Sequence, residues 1–391
     1  MFSAIPPVGT PLSWRYLFSP GENADKFKSR IEKLLTGKCY LTSSGKSALY
    51  LILKSSAEIY PGKDEVIIPD YTCWTVPSAV IRAGMKLKTI DIQPGNFGID
   101  PQQLEENISG KTLTVIAAHL FGIPGDIEAI EKICRERGVI LIDDAAQALG
   151  AKVGGRQIGS FGDASALSFG RGKNITTLSG GAAVIRNNEL RDVANGIYSR
   201  EFSNPLTGAL KDTIQLAAYK ILFNRHLYWI PDTMPFLELG KTEFNPRFDI
   251  HKLPENRASR GAMMIGNLER ITGHRVETGR KYRERLSGIG QIELPEPELN
   301  SQPVYLRYPV ILKDEKRRRY ILEKGHSLGI SAMYPGKVSS IDGISPYLSG
   351  NDISNPNAEY IARGLVTLPT HFQINDVDVR RISDFITDAV R

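Results

Sequence analysis

The sequence predicts an α/β protein with a large domain around a mainly parallel sheet, followed by a smaller C-terminal α+β domain. Short apolar runs, which are predicted strands, occur at 65–68, 86–90, 114–118, 139–142 and 164–169. Helical segments separate several of these runs, and a helix between two strands makes a crossover that favours parallel pairing. Parallel strands are covered on both faces, which agrees with the wholly apolar run at 139–142.

Predicted helices in the first half of the chain lie at 22–35, 47–55 and 126–137. Asp126 is a predicted helix cap, and Gly138 is a predicted stop signal. In the second half, the pattern predicts a long helix at 257–286, a strand at 304–312 and helices at 317–328 and 379–390. We therefore expect a large domain at 1–256, which includes an aromatic insert at 197–253, and a small domain at 257–391.

The composition is ordinary for a soluble protein, because 41% of the 391 residues are hydrophobic and 24% are charged. The first residues lack the charged and apolar regions of a secretory signal, and no apolar run is long enough to cross a membrane. We therefore expect a cytoplasmic protein. Cys39, Cys73 and Cys134 lack metal-ligand spacing and cannot all pair, so free thiols and no bound metal are expected.

The net charge of +6 is dispersed, apart from one basic run at 316–319. This run follows two acidic residues in a predicted surface helix, so we interpret it as a solvated face and expect no nucleic-acid binding. In the insert, Lys220, Arg225 and His226 interrupt the apolar residues, which argues against a membrane span. We favour packing or subunit contact for the insert over attachment to a membrane surface or a lipid-linked substrate.

Polar groups follow several predicted strands at the place where ligands bind in parallel sheets, beyond the carboxyl ends. Asp70, His119, Asp144 and Ser168 take this position, and a glycine-flanked lysine, Lys173, follows Ser168. An aspartate, a hydroxyl and a lysine on successive strand ends are suited to binding pyridoxal phosphate. Their spacing alone does not establish that ligand.

A nucleotide-hydrolysing P-loop is a second interpretation. Residues 44–47 supply the end of that motif, and the strand at 139–142 leads to Asp143, which resembles a magnesium-binding aspartate. The motif requires its first glycine at position 40, where this chain has Tyr40. A tyrosine does not readily adopt the backbone conformations that glycine supplies, so the P-loop is disfavoured.

Five short motifs carry a more specific signal. They are Ser44-Gly45-x-Ser47-Ala48-Leu49, Ile68-Pro69-x-Tyr71-Thr72, His119-Leu120-Phe121-Gly122, Asp143-Asp144-Ala145-Ala146-Gln147-Ala148 and Ser168-Phe169-x-x-x-Lys173-Asn174-Ile175-Thr176-Thr177-x-x-Gly180-Gly181. Their order and spacing resemble the DegT/StrS family of sugar aminotransferases. The resemblance implies the aspartate aminotransferase-like fold (fold type I), pyridoxal 5'-phosphate as cofactor, and a homodimer with active sites at the subunit interface.

The resemblance also implies roles for single residues. Lys173 matches the lysine that forms the covalent link to the cofactor, and Asp144 matches the carboxylate that pairs with the pyridinium nitrogen. Gln147 matches a contact to the cofactor's phenolic oxygen, and Ser168 matches a phosphate-binding hydroxyl. A helix start offers further amides to the phosphate, here those of Gly45, Lys46 and Ser47.

Several positions match the family pattern less well. The aromatic residue that usually stacks on the cofactor ring aligns with Cys73; we favour the next residue, Trp74, as the ring cover. Lys46 adds a cation that either contacts phosphate or points to solvent. His119 matches a histidine near the cofactor, although a packed structural histidine is also compatible. Asn245 resembles an asparagine that reaches the phosphate of the neighbouring subunit.

The resemblance implies a transaminase that moves an amino group from an amino acid, with glutamate as the expected donor, to a nucleotide-linked keto sugar. Such enzymes serve amino-sugar, surface-polysaccharide or antibiotic biosynthesis. A lipid-linked or other non-nucleotide acceptor is an alternative, because the aromatic insert and Cys73 are unusual. A dehydratase of the same fold is disfavoured because Lys173 is present, and a non-catalytic regulatory protein because both Lys173 and Asp144 are present.

Overall fold

A seven-stranded sheet forms the centre of the protein. The computed structural model describes residues 4–10, 12–14, 16, 23–205, 209–233, 242–350 and 354–391. The strands are β1 (Lys38–Thr42), β2 (Glu65–Pro69), β3 (Lys86–Ile90), β4 (Thr112–Ala118), β5 (Ile140–Asp144), β6 (Lys152–Val153), β7 (Arg156–Gln157), β8 (Ala164–Ser168), β9 (Gly181–Ile185), β10 (Ile292–Glu293), β11 (Ser301–Gln302), β12 (Tyr308–Leu312) and β13 (Leu365–Leu368). The central sheet has the order β1-β9-β8-β5-β4-β2-β3. The strand β9 runs antiparallel to both of its neighbours, β1 and β8, while the other neighbouring strands pair in parallel, so the predicted mainly parallel sheet is confirmed.

Helices cover this sheet on both faces, since every residue of β2, β4, β5 and β9 is buried. The helices are α1 (Ala24–Leu35), α2 (Gly45–Ile59), α3 (Thr75–Arg82), α4 (Pro101–Asn107), α5 (Ile127–Arg137), α6 (Asn188–Glu201), α7 (Ala209–Leu222), α8 (Trp229–Asp232), α9 (Glu255–Ile265), α10 (Leu268–Leu286), α11 (Glu315–Lys324), α12 (Pro356–Gly364) and α13 (Asp376–Val390). The helix α5 begins after Asp126 and ends at Gly138, as predicted.

Three predicted elements have different bounds in the structure. The helix predicted at 47–55 begins at Gly45, because Ser44 caps it. The stretch 257–286 is two helices, α9 and α10, which are separated at Gly266 and Asn267. The strand predicted at 304–312 is paired only from Tyr308, because the residues before it form a turn in which Tyr305 has a φ of 43°.

The strand β9 and the helix α6 had no clear signal in the sequence. The strand β9 has the sequence GAAVI, whose small residues have low β-propensity. It nevertheless lies between β1 and β8 and pairs with both along its whole length. The helix α6 was also not predicted, and it includes the beginning of the segment that we interpreted as an aromatic insert.

The C-terminal part contains the antiparallel sheet β10-β12-β13, and β11 joins β6 and β7 in a small sheet. Two buried aspartates hold this part against the central sheet. Asp70 accepts hydrogen bonds from the backbone N–H and the hydroxyl of Ser339, both at 2.8 Å, and from Asn355 Nδ2 at 2.9 Å. Asp91 accepts two backbone N–H groups at the start of α12, at 3.0 and 2.9 Å. The Asp70 carboxylate, which we expected beside a ligand, therefore joins two parts of the chain.

The domain boundary at residue 256 stays a prediction. In the part of the chain that the structure describes, no helix is long and apolar enough to span a membrane. Cys39, Cys73 and Cys134 are free thiols, as expected. Cys39 and Cys134 are buried, and burial raises the pKa of the Cys134 thiol to about 12.

Candidate active site

A cavity of about 500 Å³ lies beyond the carboxyl ends of β4, β5 and β8. It brings together most of the residues that the sequence suggested. These are Gly45, Lys46, Cys73, His119, Asp144, Gln147, Ser168 and Lys173. Among the described residues, Ser47, Trp74 and Asn245 do not contribute to the cavity wall.

The start of α2 forms one side of this cavity. Ser44 caps the helix by accepting a hydrogen bond from the Ser47 backbone N–H at 3.2 Å. The Ser47 hydroxyl also contacts Ser44 Oγ, at 2.8 Å. Because the Ser47 amide is engaged in this cap, it is not available to a phosphate, and the contacts of the Gly45 and Lys46 amides stay predictions.

Ser168, at the end of β8, lies directly beside the start of α2. A Cβ atom placed on Gly45 would be 3.1 Å from the Cβ of Ser168, so the glycine allows the helix start and the strand end to approach closely. Gly181 on β9 is packed still more tightly, because a Cβ there would lie 2.5 Å from the backbone C and O of Ser44. Two glycines thus allow the start of α2 to lie directly beside the end of β8 that carries Ser168.

The two aspartates of β5 have different surroundings. Asp143 is fully buried, and its Oδ2 accepts the backbone N–H groups of Gly159 at 2.6 Å and Phe161 at 3.1 Å. Asp144 lines the cavity and accepts one N–H, from Ala146 at 3.0 Å. Burial raises the pKa of Asp144, and the Ala146 N–H and the Lys173 charge only partly oppose this shift. Asp143 is therefore a structural residue, and Asp144 is available to a ligand.

His119 is held in one orientation by hydrogen bonds at both ring nitrogens. The Gly125 backbone N–H donates to Nδ1 at 3.1 Å, so the ring proton lies on Nε2, which faces Asp143 Oδ1 at 3.1 Å. The imidazole is therefore fixed by the protein itself, and it presents a ring edge or face to the cavity. This position is compatible with a histidine that lies near a cofactor and also with a packed structural histidine.

Lys173 lies in the loop after β8, between the cavity and the N-terminal segment. Its backbone carbonyl accepts a hydrogen bond from the Thr10 hydroxyl at 2.6 Å, and its N–H donates to Gly170 O at 3.3 Å. Burial lowers the pKa of the Lys173 amine, while the negative charge of Asp144 raises it and the positive charge of Arg307 lowers it. The lysine therefore loses its proton more easily than a solvated lysine does.

Gln147 is buried and both ends of its amide are used. Its Oε1 accepts the Phe121 backbone N–H at 3.0 Å, which fixes the amide orientation. Its Nε2 donates to the hydroxyl of Tyr334 at 2.7 Å. The second Nε2 hydrogen and the hydroxyl hydrogen of Tyr334 remain for a ligand, since each group has a further proton to donate.

Cys73 and Trp74 were the two candidates for a cover of the cofactor ring. Cys73 lines the cavity, and its sulfur lies 3.0 Å from the hydroxyl of Thr75. The Trp74 indole N–H instead points to the carbonyl of Gly336, at 3.4 Å. The structure therefore favours Cys73 at this place in the wall, and the preference for Trp74 is corrected because the indole turns toward the C-terminal part.

The sequence did not single out several other residues that line the cavity. Arg307 precedes β12, and Phe223 and Tyr228 come from the segment around α7 and α8. The described wall contains the cations Lys46, Arg171, Lys173 and Arg307, against Asp144 as the carboxylate. This charge balance favours an anionic ligand. The turn before β12 has no regular hydrophobic periodicity. The sequence therefore did not indicate that Arg307 faces the cavity.

Asn245 is exposed and lies outside the cavity of its own chain. Its side-chain oxygen accepts the Arg247 backbone N–H at 2.8 Å, and its own N–H donates to Ser78 Oγ at 3.0 Å. These contacts shape a surface turn. The role that the resemblance implies for Asn245, at the phosphate of another subunit, stays a prediction.

The sheet with its single reversed strand, together with the lysine, aspartate and helix start around the cavity, defines the aspartate aminotransferase-like class (fold type I). The predicted fold class is confirmed. The chain belongs to the DegT/DnrJ/EryC1/StrS aminotransferase family, whose model matches residues 13–221 and 242–387.

Several relatives of known name support this assignment. The chain is 35% identical over 348 residues to UDP-N-acetyl-3-dehydro-α-D-glucosamine 3-aminotransferase of Acidithiobacillus ferrooxidans, covering 88% of this chain and 82% of that protein. It is 26% identical to dTDP-3-amino-3,4,6-trideoxy-α-D-glucose transaminase of Streptomyces venezuelae, covering 96% and 89%. Other matches are partial: the chain is 38% identical to a pleiotropic regulatory protein of Geobacillus stearothermophilus but spans 39% of its length.

A solved structure shows the same fold. NtdA of Bacillus subtilis, determined with bound cofactor PMP, has a TM-score of 0.74 and 21% identity, covering 95% of this chain and 77% of that chain. The likeness extends through both the central sheet and the C-terminal part, since nearly the whole chain is covered.

Proposed function

We propose that this protein is a pyridoxal phosphate-dependent aminotransferase that transfers the amino group of an amino acid, with glutamate as the expected donor, to a nucleotide-linked keto sugar. The observation that carries the proposal is the convergence of Lys173, Asp144 and the Ser168 hydroxyl at one cavity. Relatives that cover most of the chain are named for UDP- and dTDP-linked sugars.

The residues of the cavity fit the cofactor. Two free amides at the start of α2 and the Ser168 hydroxyl suit a phosphate group, because helix N-termini attract anions. Burial raises the pKa of the Asp144 carboxylate, and a protonated ring nitrogen beside it would stabilise its charged form. Lys173 is the adjacent amine for the covalent link. When bound, pyridoxal phosphate supplies an electron sink for the carbanion that forms on substrate carbon.

The protein's own residues account for the remaining chemistry. Because burial lowers the pKa of Lys173, its amine is more readily unprotonated and can act as nucleophile and, once free, as the base that moves a proton at the donor's α-carbon. Gln147 and Tyr334 direct donor hydrogens into the cavity. The hydrogen bond between His119 and Asp143 anchors the end of β5 and so fixes the position of the next residue, Asp144.

The P-loop interpretation does not agree with these contacts. The Asp143 carboxylate, which would have to bind magnesium, already accepts hydrogen bonds from Gly159, Phe161 and His119. A non-nucleotide acceptor stays an alternative within the aminotransferase function, since Phe223 and Tyr228 add aromatic surface to the cavity wall. We further propose a cytoplasmic homodimer, as the family resemblance implies.

A spectroscopic experiment tests the function. Purified protein with added pyridoxal phosphate should develop the visible absorbance of a lysine-linked cofactor, and glutamate should remove it. The variant Lys173→Ala should show neither change, while the exposed-lysine control Lys313→Ala should show both. A band that survives in Lys173→Ala, or a wild-type band insensitive to all amino acids, would contradict the proposal. UDP-, dTDP- and GDP-linked keto sugars would then be compared as acceptors with a lipid-linked one.

A further inference from the structure

The helix α7 carries apolar side chains on two sides, and only one side is packed inside the protein. Leu216 and Tyr219 on the inner side belong to the buried core. Ile214 and Ile221 share the outer face, because a spacing of seven residues is two helical turns, and they are 59% and 44% exposed. The packing that we favoured for the aromatic insert therefore explains the inner side of α7 and leaves the outer side unexplained.

The exposed apolar surface continues beyond the end of α7. Leu227 and Trp229 follow in the turn and at the start of α8, and both are exposed. Trp14 is also exposed and lies beside the same helix, because Lys220 Nζ is 5.0 Å from the centroid of its ring. Among the described residues, five of the twelve exposed large hydrophobic side chains therefore lie in one region, and such clustering is typical of a contact surface. We call this region the α7–α8 surface; it consists of Trp14, Ile214, Ile221, Leu227 and Trp229.

A cavity of about 550 Å³ with a basic wall lies beside the α7–α8 surface, since α7 and the segment around Trp14 both contribute to it. None of the described residues in this wall is acidic. Outside the wall, Asp378 neutralises Arg225 through hydrogen bonds of 2.8 and 3.0 Å. Neither Lys220 nor Arg270 is matched by a carboxylate in the wall, so their charges attract an anionic partner. The basic side chains of the wall are Lys220, Arg225, His226 and Arg270.

We propose that the α7–α8 surface binds the surface of an anionic lipid membrane. Its apolar side chains enter the acyl boundary, and Lys220 and Arg270 contact the phosphate headgroups. Tryptophan and aliphatic side chains beside basic ones are typical of segments that lie in the membrane–water interface. With 14 residues, α7 is too short to cross a bilayer, so it lies along the surface.

A second copy of the chain is the competing occupant of this surface. In a twofold contact the same patch of each subunit meets its own copy. The unmatched cations Lys220 and Arg270 of one subunit would then approach those of the other, and the described wall offers no acidic residue between them. Like charges brought together in an interface oppose binding. An anionic membrane matches both the apolar and the basic parts of the surface, so we favour the membrane.

Vesicle flotation of the full-length, cofactor-loaded protein tests the proposal. The protein should float with phosphatidylcholine vesicles that contain phosphatidylglycerol, and added salt should reduce the bound fraction. Binding to vesicles of phosphatidylcholine alone should be at least about fivefold weaker, because each basic residue at an anionic surface contributes about that factor. Ile214→Ser combined with Ile221→Ser should weaken binding by about 10-fold or more, because the apolar area that enters the membrane is lost.

Leu299→Ser combined with Tyr347→Ser is the matched control, because these side chains are also exposed but lie before β11 and near β3, outside the α7–α8 surface. Its binding should stay within about twofold of the wild type. A second measurement needs no change in α7. Brominated phosphatidylglycerol should quench the tryptophan fluorescence of the wild type, and Trp14→Phe combined with Trp229→Phe should lose this quenching although Trp74 is retained.

Three results would overturn the proposal. The first is a wild-type protein that binds neither kind of vesicle, or both equally. The second is equal weakening by the Ile214→Ser, Ile221→Ser pair and by the control pair. The third is a wild-type dimer that stays off vesicles and separates into monomers when Ile214 and Ile221 are changed, as measured by analytical ultracentrifugation. That last result would assign the α7–α8 surface to a subunit contact.

Discussion

At the scale of single residues, the amine of Lys173 lies between charges of opposite sign. Burial is the largest influence and lowers its pKa below the ordinary 10.5, the charge of Asp144 raises it, and the charge of Arg307 lowers it. Only the unprotonated amine attacks an aldehyde, so the rate of cofactor attachment reports the fraction of Lys173 that has lost its proton. Each neighbour should therefore shift the pH dependence in a direction fixed by its charge.

We expect the attachment rate to rise with pH, with a midpoint below 10.5. Asp144→Asn removes a negative neighbour, which lowers the pKa of Lys173 further and moves the midpoint to lower pH. Arg307→Gln removes a positive neighbour and moves the midpoint to higher pH. Stopped-flow absorbance of the cofactor-free protein mixed with pyridoxal phosphate would measure these shifts. Shifts of the same sign in the two variants would contradict the electrostatic explanation.

At the scale of elements, the contact between β9 and the start of α2 shapes the side of the cavity that we propose binds the phosphate. A Cβ atom on Gly181 would lie 2.5 Å from the backbone C and O of Ser44 and 2.6 Å from the backbone N of Gly45. These are backbone atoms of a helix start, which cannot rotate away as a flexible side chain can. The two elements must separate to accept even a methyl group.

Gly181→Ala should therefore reduce the free energy of unfolding by about 1–3 kcal/mol, the usual cost of overpacking. It should also weaken pyridoxal phosphate binding, because the amides of Gly45 and Lys46 move with the helix start. Urea unfolding of the cofactor-free protein and a titration of the cofactor would measure both effects. Gly110→Ala is the control, since no atom lies within 4 Å of a Cβ there. If both variants unfold alike, the close packing has no energetic consequence.

The elements also show why the sequence predicted part of the site. Asp144 and Ser168 follow apolar runs, so their positions at strand ends could be read from periodicity. Lys173 was noted from its place between glycines, and the family resemblance supplied its expected role. The inward direction of Cys73 rather than Trp74 depends on how the chain enters α3, which periodicity does not describe. Arg307 follows a turn with Tyr305 at positive φ, and the small residues of β9 carry little strand propensity.

At the scale of the whole molecule, the cavity contains no contribution from Asn245 of the same chain. Asn245 is exposed on a surface turn, where its side chain caps the Arg247 N–H. If Asn245 contacts the cofactor phosphate at all, that phosphate belongs to another copy of the chain. In a twofold dimer each active site would then combine Lys173 of one subunit with Asn245 of its partner.

Mixed dimers give this arrangement a sharp test. Lys173→Ala and Asn245→Ala chains carrying different tags would be expressed together, and dimers with both tags purified. If Asn245 acts across the interface, one site of each dimer has both changes and the other has neither, so activity should reach about half that of the wild type. A dimer of Lys173→Ala with Lys313→Ala also keeps one intact site and is the matched control. If Asn245 acts within its own chain, both sites of the first dimer are altered, and its activity should not exceed half that of the Asn245→Ala homodimer.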